Sequence, residues 1–386
     1  MDNKTKILHK GRMSKEHYGI INPPLYRVST ILYDSYDEFL GKKPKEYVYG
    51  RYHTPTTHAL SKALCALDGG EEAYLCPSGS AAIATALSAY AETGDHILLS
   101  DSVYGPTRDF AEQYLRPKGV EVEFYDPKIG SNIEKLLRKN SSLVFVESPG
   151  SLTFEIQDVP AISHAAHSKG LVVIMDNTWG TGLHYKPFVH GVDVCIQALT
   201  KYVGGHSDLM MGAISVTRKT KAKIAQTHRL FGQCVSGDEA WLALRGLRSL
   251  AARLAMHEKN GLEIAKWLAK RKEVMEVWHP ALPGFEGHKL WKRDFTGSNG
   301  LFSILLRPCT EKALAVFLDG LELFKIGYSW GGYESLILPK NPASERSAVP
   351  WQREEILLRL HVGLEDVEDL KKDLENGFSK MEKINV

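Results

Sequence analysis

Between residues 73 and 216 the sequence repeats one pattern, in which short apolar runs alternate with helical or loop segments. Such runs are typical of strands buried on both faces, and helices between them favour parallel strand pairing. The runs lie at 96–99, 120–124, 143–146, 171–175, 192–196 and 213–216. The pattern predicts an α/β fold with a large, mostly parallel sheet that is covered by helices.

A second, smaller domain is indicated by the C-terminal third of the chain. From Asp238 a helical pattern of leucines continues to about residue 270. Beyond it the patterns predict strands at 300–305 and 356–361 and helices at 311–318 and 367–381. At roughly 150 residues per domain, 386 residues are enough for two domains. We predict an N-terminal arm (1–52), a large domain (53–247) and a smaller α+β domain (248–386).

The first 51 residues are irregular and rich in aromatic side chains, and prolines interrupt them. A segment with many apolar rings and little periodicity is not stable alone, so we expect it to pack on something else, such as a second subunit. A disordered arm is the alternative, but the aromatic content argues against it.

Composition excludes several classes of partner. The 48 basic and 46 acidic side chains give a net charge of +2, which is not the signature of a nucleic-acid-binding or membrane-anchored protein. No apolar run approaches transmembrane length. The five cysteines are widely spaced and form no CxxC, so neither a metal site nor a disulfide framework is expected. We predict a soluble, cytoplasmic protein that binds no metal.

Polar side chains follow several of the predicted strands at the point where each strand ends. They are Asp101, Glu147, Asp176 and the pair Thr200–Lys201. Ligands of open parallel sheets bind at the carboxyl ends of the strands. This clustering predicts a site at that edge.

Asp176 and Lys201 are the most informative of these residues. A carboxylate and a lysine at neighbouring strand ends are what pyridoxal phosphate (PLP) requires, because the carboxylate keeps the pyridine nitrogen protonated while the lysine binds the aldehyde. Each residue has an ordinary alternative: Lys201 as a solvated strand-end lysine, and Asp176 as a helix cap.

Two further positions suit anionic groups. Gly79, between Ser78 and Ser80, opens an alanine-rich helix whose free amides suit a phosphate, although such a sequence is often only a cap. Arg359 alternates with leucines in a predicted strand and needs an anionic partner. That partner is either a substrate carboxylate or an internal salt bridge.

The segment 193–207 around Lys201 resembles the lysine signature of the Cys/Met-metabolism PLP enzymes. The resemblance extends over nearly the whole chain, in the family's order. It is carried by residues 49–51, 78–79, 104–105, 147–149, 176–177, 245–248 and 359–366. The resemblance implies the aspartate-aminotransferase-like PLP fold, with pyridoxal 5′-phosphate as cofactor.

The resemblance also implies cofactor contacts. Lys201 would bind the cofactor aldehyde and transfer protons, Asp176 would pair with the pyridine nitrogen, and Tyr104 would stack on the ring. Gly79, Ser80 and Thr200 would hold the phosphate, although Ala198 lacks a hydroxyl that many members use there.

Other implied roles concern the substrate and the neighbouring subunit. Arg359 would bind the substrate α-carboxylate, with Ser329 and Trp330 on the substrate side. Tyr49 and Arg51 would reach the phosphate of the neighbouring subunit's cofactor, with Tyr49 and Tyr104 also facing substrate. The resemblance thus implies a homotetramer, a dimer of dimers with shared active sites.

The loop 328–336 resembles that of the β-eliminating bacterial members of the family. This implies a carbon–sulfur lyase that converts L-cystathionine, a small sulfur amino acid, to L-homocysteine, pyruvate and ammonia in methionine biosynthesis. The alternatives within the family are γ-elimination or γ-synthesis, and β-elimination from other cysteine conjugates. A non-catalytic binding protein is the alternative outside it, but Lys201, Asp176 and Arg359 are all present.

Overall fold

A seven-stranded sheet forms the centre of the large domain. The computed structural model describes residues 2–384. The strands are β1 (Glu72–Cys76), β2 (His96–Ser100), β3 (Glu121–Tyr125), β4 (Ser141–Glu147), β5 (Val172–Asp176), β6 (Val194–Ala198), β7 (Gly212–Val216), β8 (Val274–Trp278), β9 (Leu301–Leu306), β10 (Lys325–Ile326), β11 (Leu336–Lys340) and β12 (Ile356–His361). The helices are α1 (Asn3–His9), α2 (Tyr36–Phe39), α3 (Pro55–Asp68), α4 (Gly79–Tyr90), α5 (Gly105–Asp109), α6 (Val159–Ser168), α7 (Lys221–Leu230), α8 (Gly237–Leu268), α9 (His288–Asp294), α10 (Glu311–Asp319) and α11 (Val367–Glu382).

The strand order of this sheet is β1–β7–β6–β5–β4–β2–β3. Only β7 runs antiparallel to its neighbours, and the other pairs are parallel. Each apolar run that predicted a strand overlaps one of these strands. The predicted α/β fold with a large, mostly parallel sheet is confirmed.

The two faces of this sheet are buried under different helices. Val173 and Met175 of β5 pack in a cluster with residues of α6, whereas Val172 and Ile174 pack in a cluster with residues of α4. Successive strand residues alternate between faces, so a strand covered on both sides is apolar at nearly every position. Burial of each such side chain contributes about 1.5–3 kcal/mol. This explains why apolar runs, rather than alternating patterns, marked the strands.

A five-stranded sheet of order β10–β11–β12–β9–β8 forms the smaller α+β domain. Helices α10 and α11 pack together through stacked Phe317 and Phe378, with ring centroids 4.7 Å apart. The long helix α8 joins the domains, since Leu247 is buried in a core of the large domain and Leu268 in the core of the smaller one. The boundary that the sequence suggested after residue 247 therefore falls within a continuous helix.

The run 338–350, which its prolines suggest is a loop, begins inside a strand. Strand β11 continues to Lys340, with Pro339 opposite Leu358 of β12. On its other side, β11 pairs with β10 only at Leu336 and Ile337. A proline at Pro339 is tolerated because that edge of the strand has no ladder partner that needs its N–H.

The N-terminal segment is attached at one end and exposed along much of its length. Ile7 of α1 is buried in the core that includes α3 and α8. Further along, large apolar side chains face solvent, among them Tyr18, fully exposed, and Leu32, 80% exposed. Among residues 2–384, no helix combines the length and apolarity needed to cross a membrane.

Candidate active site

A cavity of about 300 Å³ opens at the carboxyl edge of the large sheet, beside the smaller domain. Nine of the eleven site residues expected from the sequence line it: Gly79, Ser80, Tyr104, Asp176, Thr200, Lys201, Ser329, Trp330 and Arg359. They come from both domains. The cavity therefore depends on the packing of one domain against the other.

Lys201 follows β6 and projects its amine into this cavity. Its Nζ donates a hydrogen bond to Ser329 Oγ at 2.5 Å and lies 5.4 Å from the centroid of the Trp330 ring. Burial and the positive charge of Arg359 lower the pKa of Lys201 to about 8, against the opposing effect of Asp176. An amine with this pKa is partly neutral at physiological pH, so it can act as a nucleophile or as a base.

Asp176 ends β5 beside Glu147, which ends β4, and the two are register partners. Burial raises the pKa of Asp176, while its Oδ1 accepts a hydrogen bond from Thr178 N at 2.9 Å. Burial and the adjacent charge of Asp176 hold the pKa of Glu147 well above its usual range. The two buried carboxyl groups thus oppose each other's ionisation, and a cationic or N–H donor placed beside Asp176 would stabilise its charged form.

The start of α4 forms a concave anion site. Ser78 Oγ caps the helix by accepting from Ala81 N at 3.0 Å, and Gly79 and Ser80 line the cavity. A Cβ added to Gly79 would meet the Ala198 Cβ at 2.8 Å, so only glycine lets the strand and helix approach so closely here. The amides at this helix start are suited to a phosphate.

Thr200 also lines the cavity, but its hydroxyl already has partners. Thr200 Oγ1 accepts from Met211 N at 3.0 Å and lies 3.2 Å from Met211 O. These contacts fix the turn that follows β6 and hold Thr200 beside the anion site.

Arg359 lies on β12, between two buried leucines, and its side chain faces the cavity. Its Nη2 donates to Ser329 O at 3.2 Å, and among residues 2–384 no carboxylate lies within ion-pair distance of it. Burial lowers the pKa of Arg359 to about 10, which still leaves it cationic at neutral pH. Its remaining donors can therefore take a ligand carboxylate.

A tight loop carries Ser329 and Trp330 into the site. Ser329 and Gly331 both have positive φ, at 79° and 88°. A Cβ on Gly331 would lie 2.6 Å from Tyr202 N and 2.7 Å from Lys201 C, so only glycine permits this approach. The loop backbone thus packs directly against the backbone that carries the lysine.

His361 supports this loop from behind. Its Nε2 lies 3.1 Å from both Gly331 N and Gly332 O, so the ring accepts from one or donates to the other according to its tautomer. Burial and the neighbouring His257 lower the pKa of His361 to about 3. The imidazole ring is therefore neutral at physiological pH. Its Nε2 can accept a hydrogen bond from Gly331 N or donate one to Gly332 O, according to the tautomer.

Tyr104 and the two arm residues differ in position. Tyr104 lines the cavity, and its backbone N–H donates to Glu147 Oε2 at 2.8 Å. Tyr49 and Arg51 are not among the residues that line it. Arg51 instead lies over the Tyr52 ring and reaches Arg229 O at 3.4 Å. Within one chain the structure does not bring these two residues to the site.

Residues that sequence reasoning left out also contribute. Glu147 was noted at a strand end but not assigned to the site, although its place beside Asp176 was a signal. His361 lies in the segment 359–366 that carries the resemblance, but it was given no role, because only the folded loop brings it to Gly331. Asp101 was likewise noted only as a strand-end residue. It is fully buried between Arg108, at 2.6 Å, and Arg346, at 3.2 Å.

A buried amine, a buried carboxylate, an anion site at a helix start and an arginine surround one cavity at the carboxyl edge of a parallel sheet. These features define the class of α/β enzymes that use PLP, because each part of the cofactor finds a complementary group. The chain belongs to the Cys/Met metabolism PLP-dependent enzymes, whose family model matches residues 4–379. It is accordingly a PLP-dependent enzyme.

Individual proteins are similar over nearly the full length. The chain is 42% identical over 387 residues to "Cystathionine beta-lyase MetC" of Escherichia coli (strain K12), covering 98% of each chain. It is 41% identical over 390 residues to the cystathionine beta-lyase of Salmonella typhimurium (strain LT2), again covering 98% of each. The crystal structure of metB from Corynebacterium glutamicum superposes with a TM-score of 0.91 at 28% identity, covering 98% of both chains.

Proposed function

We propose that this enzyme is a carbon–sulfur lyase that cleaves L-cystathionine by β-elimination to L-homocysteine, pyruvate and ammonia, a step of methionine biosynthesis. The observation that carries the proposal is that one cavity brings the Lys201 amine together with Asp176 and Arg359. A substrate whose carboxylate lies on Arg359 would present its Cα proton to the Lys201 amine, whose pKa burial lowers below its ordinary value. The names of the two similar lyases support the choice of substrate.

We assign the cofactor contacts as follows. Lys201 binds the aldehyde, Asp176 pairs with the pyridine nitrogen, and Tyr104 covers the ring. Gly79, Ser80 and Thr200 hold the phosphate. When bound, the cofactor supplies an electron sink that stabilises negative charge at Cα.

The protein's own groups then handle the substrate. Arg359 would bind the α-carboxylate and orient the Cα–H bond toward Lys201. The substrate's own amine would replace Lys201 on the cofactor aldehyde, so that the Lys201 amine is released and can remove that proton. Trp330 and Ser329 exclude water and hold the amine in place. The Cβ–S bond breaks, Lys201 gives its proton to the departing homocysteine sulfur, and water converts the remaining three-carbon fragment to pyruvate and ammonia.

We further propose that the chain works as a homotetramer, a dimer of dimers, in the cytoplasm, with residues 1–52, 53–247 and 248–386 as arm, large domain and small domain. The exposed apolar side chains of the arm support an intersubunit role, because solvent is an unfavourable environment for Tyr18 and Leu32. In such an assembly Tyr49 and Arg51 would serve the neighbouring subunit's cofactor phosphate, and Tyr49 would also face that subunit's substrate.

The decisive experiment identifies the keto acid. Holoenzyme incubated with L-cystathionine is expected to release pyruvate and homocysteine in equal amounts. Release of 2-oxobutyrate and cysteine would indicate γ-elimination instead, and turnover of other cysteine conjugates without cystathionine would indicate a different β-lyase.

Lys201→Ala is the control for this experiment. It is expected to lower turnover by at least about 10³-fold and to abolish the visible absorption of the bound cofactor. A variant that retained both properties would contradict the assignment of Lys201.

A further inference from the structure

The rim of the cavity carries a lysine and a glutamate that the proposed chemistry does not use. Lys340, at the end of β11, has its Nζ 5.6 Å from the centroid of the Tyr328 ring, and Tyr328 lines the cavity. Glu345 lies next to this lysine, and a Cβ on Gly105 would be 3.3 Å from its Oε2. Gly105 directly follows Tyr104, which also lines the cavity. The two charged side chains thus lie directly behind residues that line the opening of the cavity.

The negative charge of Glu345 is only weakly offset by positive charge around it. Its carboxylate is 3.8 Å from Lys340 Nζ, longer than a hydrogen bond, and its side chain is 26% exposed. No hydrogen bond to this carboxylate occurs among residues 2–384. A partly buried carboxylate with free acceptor positions favours a cationic ligand.

The charge of Glu345 also reaches the interior of the site. Burial lowers the pKa of Arg359, and the charges of Tyr104 and Glu345 oppose that shift. Glu345 therefore lies close enough to Arg359 for its charge to act on that guanidinium.

The loop that carries Glu345 is held against the large domain. Asp101 accepts from Ser347 N and Val349 N, both at 2.9 Å, in addition to its ion pair with Arg346 at 3.2 Å. These contacts are buried and fix the backbone on the C-terminal side of Glu345. A charged group on an anchored loop loses little conformational entropy when it binds a ligand.

L-Cystathionine has an amino acid group at each end. Arg359 takes the carboxylate of the end that reacts, and the other end carries an ammonium and a carboxylate that must also leave water. We propose that Glu345 binds the ammonium, and Lys340 the carboxylate, of this distal end, so that the pair selects a sulfur amino acid with a second zwitterion. This inference rests on the proposed function, because it assigns the leaving half of the same substrate.

Three substrates with the same reacting half test the assignment. They are L-cystathionine, S-(3-carboxypropyl)-L-cysteine, which lacks the distal ammonium, and S-(3-aminopropyl)-L-cysteine, which lacks the distal carboxylate. All release pyruvate on β-elimination, so one assay gives kcat/KM for each.

Glu345→Gln is expected to lower kcat/KM about tenfold for cystathionine and the aminopropyl substrate, mainly through KM. The carboxypropyl substrate should change much less. Lys340→Gln is expected to lower kcat/KM for cystathionine and the carboxypropyl substrate. The aminopropyl substrate should then change much less. Glu354→Gln is the matched control, because it removes an exposed carboxylate of the same domain that does not line the cavity, and it should leave all three rates unchanged.

Two results would overturn the inference. One is an equal loss by Glu345→Gln for all three substrates, which would indicate a structural role. The other is no loss for any of them. If the wild-type enzyme cleaved the analogues but not cystathionine, the proposed function would fail instead, and the two failures are thereby distinguished.

Discussion

Lys201 Nζ and Ser329 Oγ lie 2.5 Å apart, although the two residues are 128 positions apart in the chain. The lysine belongs to the large sheet and the serine to a loop of the smaller domain. The hydrogen bond therefore joins the two domains at the proposed reacting centre. It makes the orientation of the amine depend on how the domains pack.

Loss of this hydrogen bond is expected to slow the reaction more than it weakens binding. Ser329→Ala removes the acceptor of the Lys201 amine, so we expect kcat to fall roughly tenfold with a smaller change in KM. Steady-state kinetics on cystathionine, with exposed Ser131→Ala as control, check this. A change in KM alone would show that Ser329 contacts substrate and does not orient the amine.

The association of cofactor with apoenzyme is expected to depend on pH near 8. The neutral amine is the nucleophile, and burial lowers the pKa of Lys201 to about 8. The neutral fraction, and hence the association rate, should rise about tenfold between pH 7 and pH 9 and then level off. Stopped-flow absorbance measures this, with the reaction of PLP with free Nα-acetyl-lysine as the reference for the cofactor's own titration. A rate that still rises steeply above pH 10 would contradict the lowered pKa.

His361 is expected to be a positioning residue for the loop that carries Trp330. Both His361→Ala and His279→Ala remove a buried imidazole of the smaller domain, and each should cost about 2–4 kcal/mol of unfolding free energy. Of these two histidines, it is His361 that contacts the loop, at Gly331. At a temperature where both variants are folded, kcat/KM should fall at least about tenfold more for His361→Ala. Equal activities would assign His361 a purely structural role.

Asp101 is expected to stabilise the fold by joining the domains. Burial alone would raise its pKa, but backbone hydrogen bonds from Ser347 and Val349 and the charge of Arg346 lower it below the usual value. The stabilisation is therefore present above about pH 4 and is lost as pH falls through the lowered pKa.

Asp101→Asn leaves Arg108 and Arg346 without their buried partner. We expect a loss of about 3–5 kcal/mol in unfolding free energy at neutral pH, measured by urea denaturation. Exposed Asp109→Asn is the control and should change it by less than about 0.5 kcal/mol. A loss no larger than that of the control would show that the network contributes nothing net.

Much of the fold could be predicted because local pattern determines it. The apolar runs of β2 and β4 to β7 are largely buried, so their composition alone identifies them as strands of a covered parallel sheet, whereas β3 is a partly exposed edge strand. Because the ends of the apolar runs mark the ends of the strands, the sequence also predicted that Asp176 and Lys201 lie at the carboxyl edge of the large sheet. The prolines of 338–350 suggested a loop, but Pro339 lies in strand β11. The prediction was wrong there because an unpaired strand edge tolerates a proline.

The sequence by itself determined which groups the site contains: the amine, the carboxylates, the helix start and the arginine, each carried by a pattern a few residues long. Only the tertiary structure decided how these groups act on each other. The lowered pKa of Lys201, the contact of His361 with Gly331 and the place of Glu345 at the rim all depend on side chains from distant segments. The physical reason is that burial and charge act through space, and the distances through which they act exist only after the two domains have packed together.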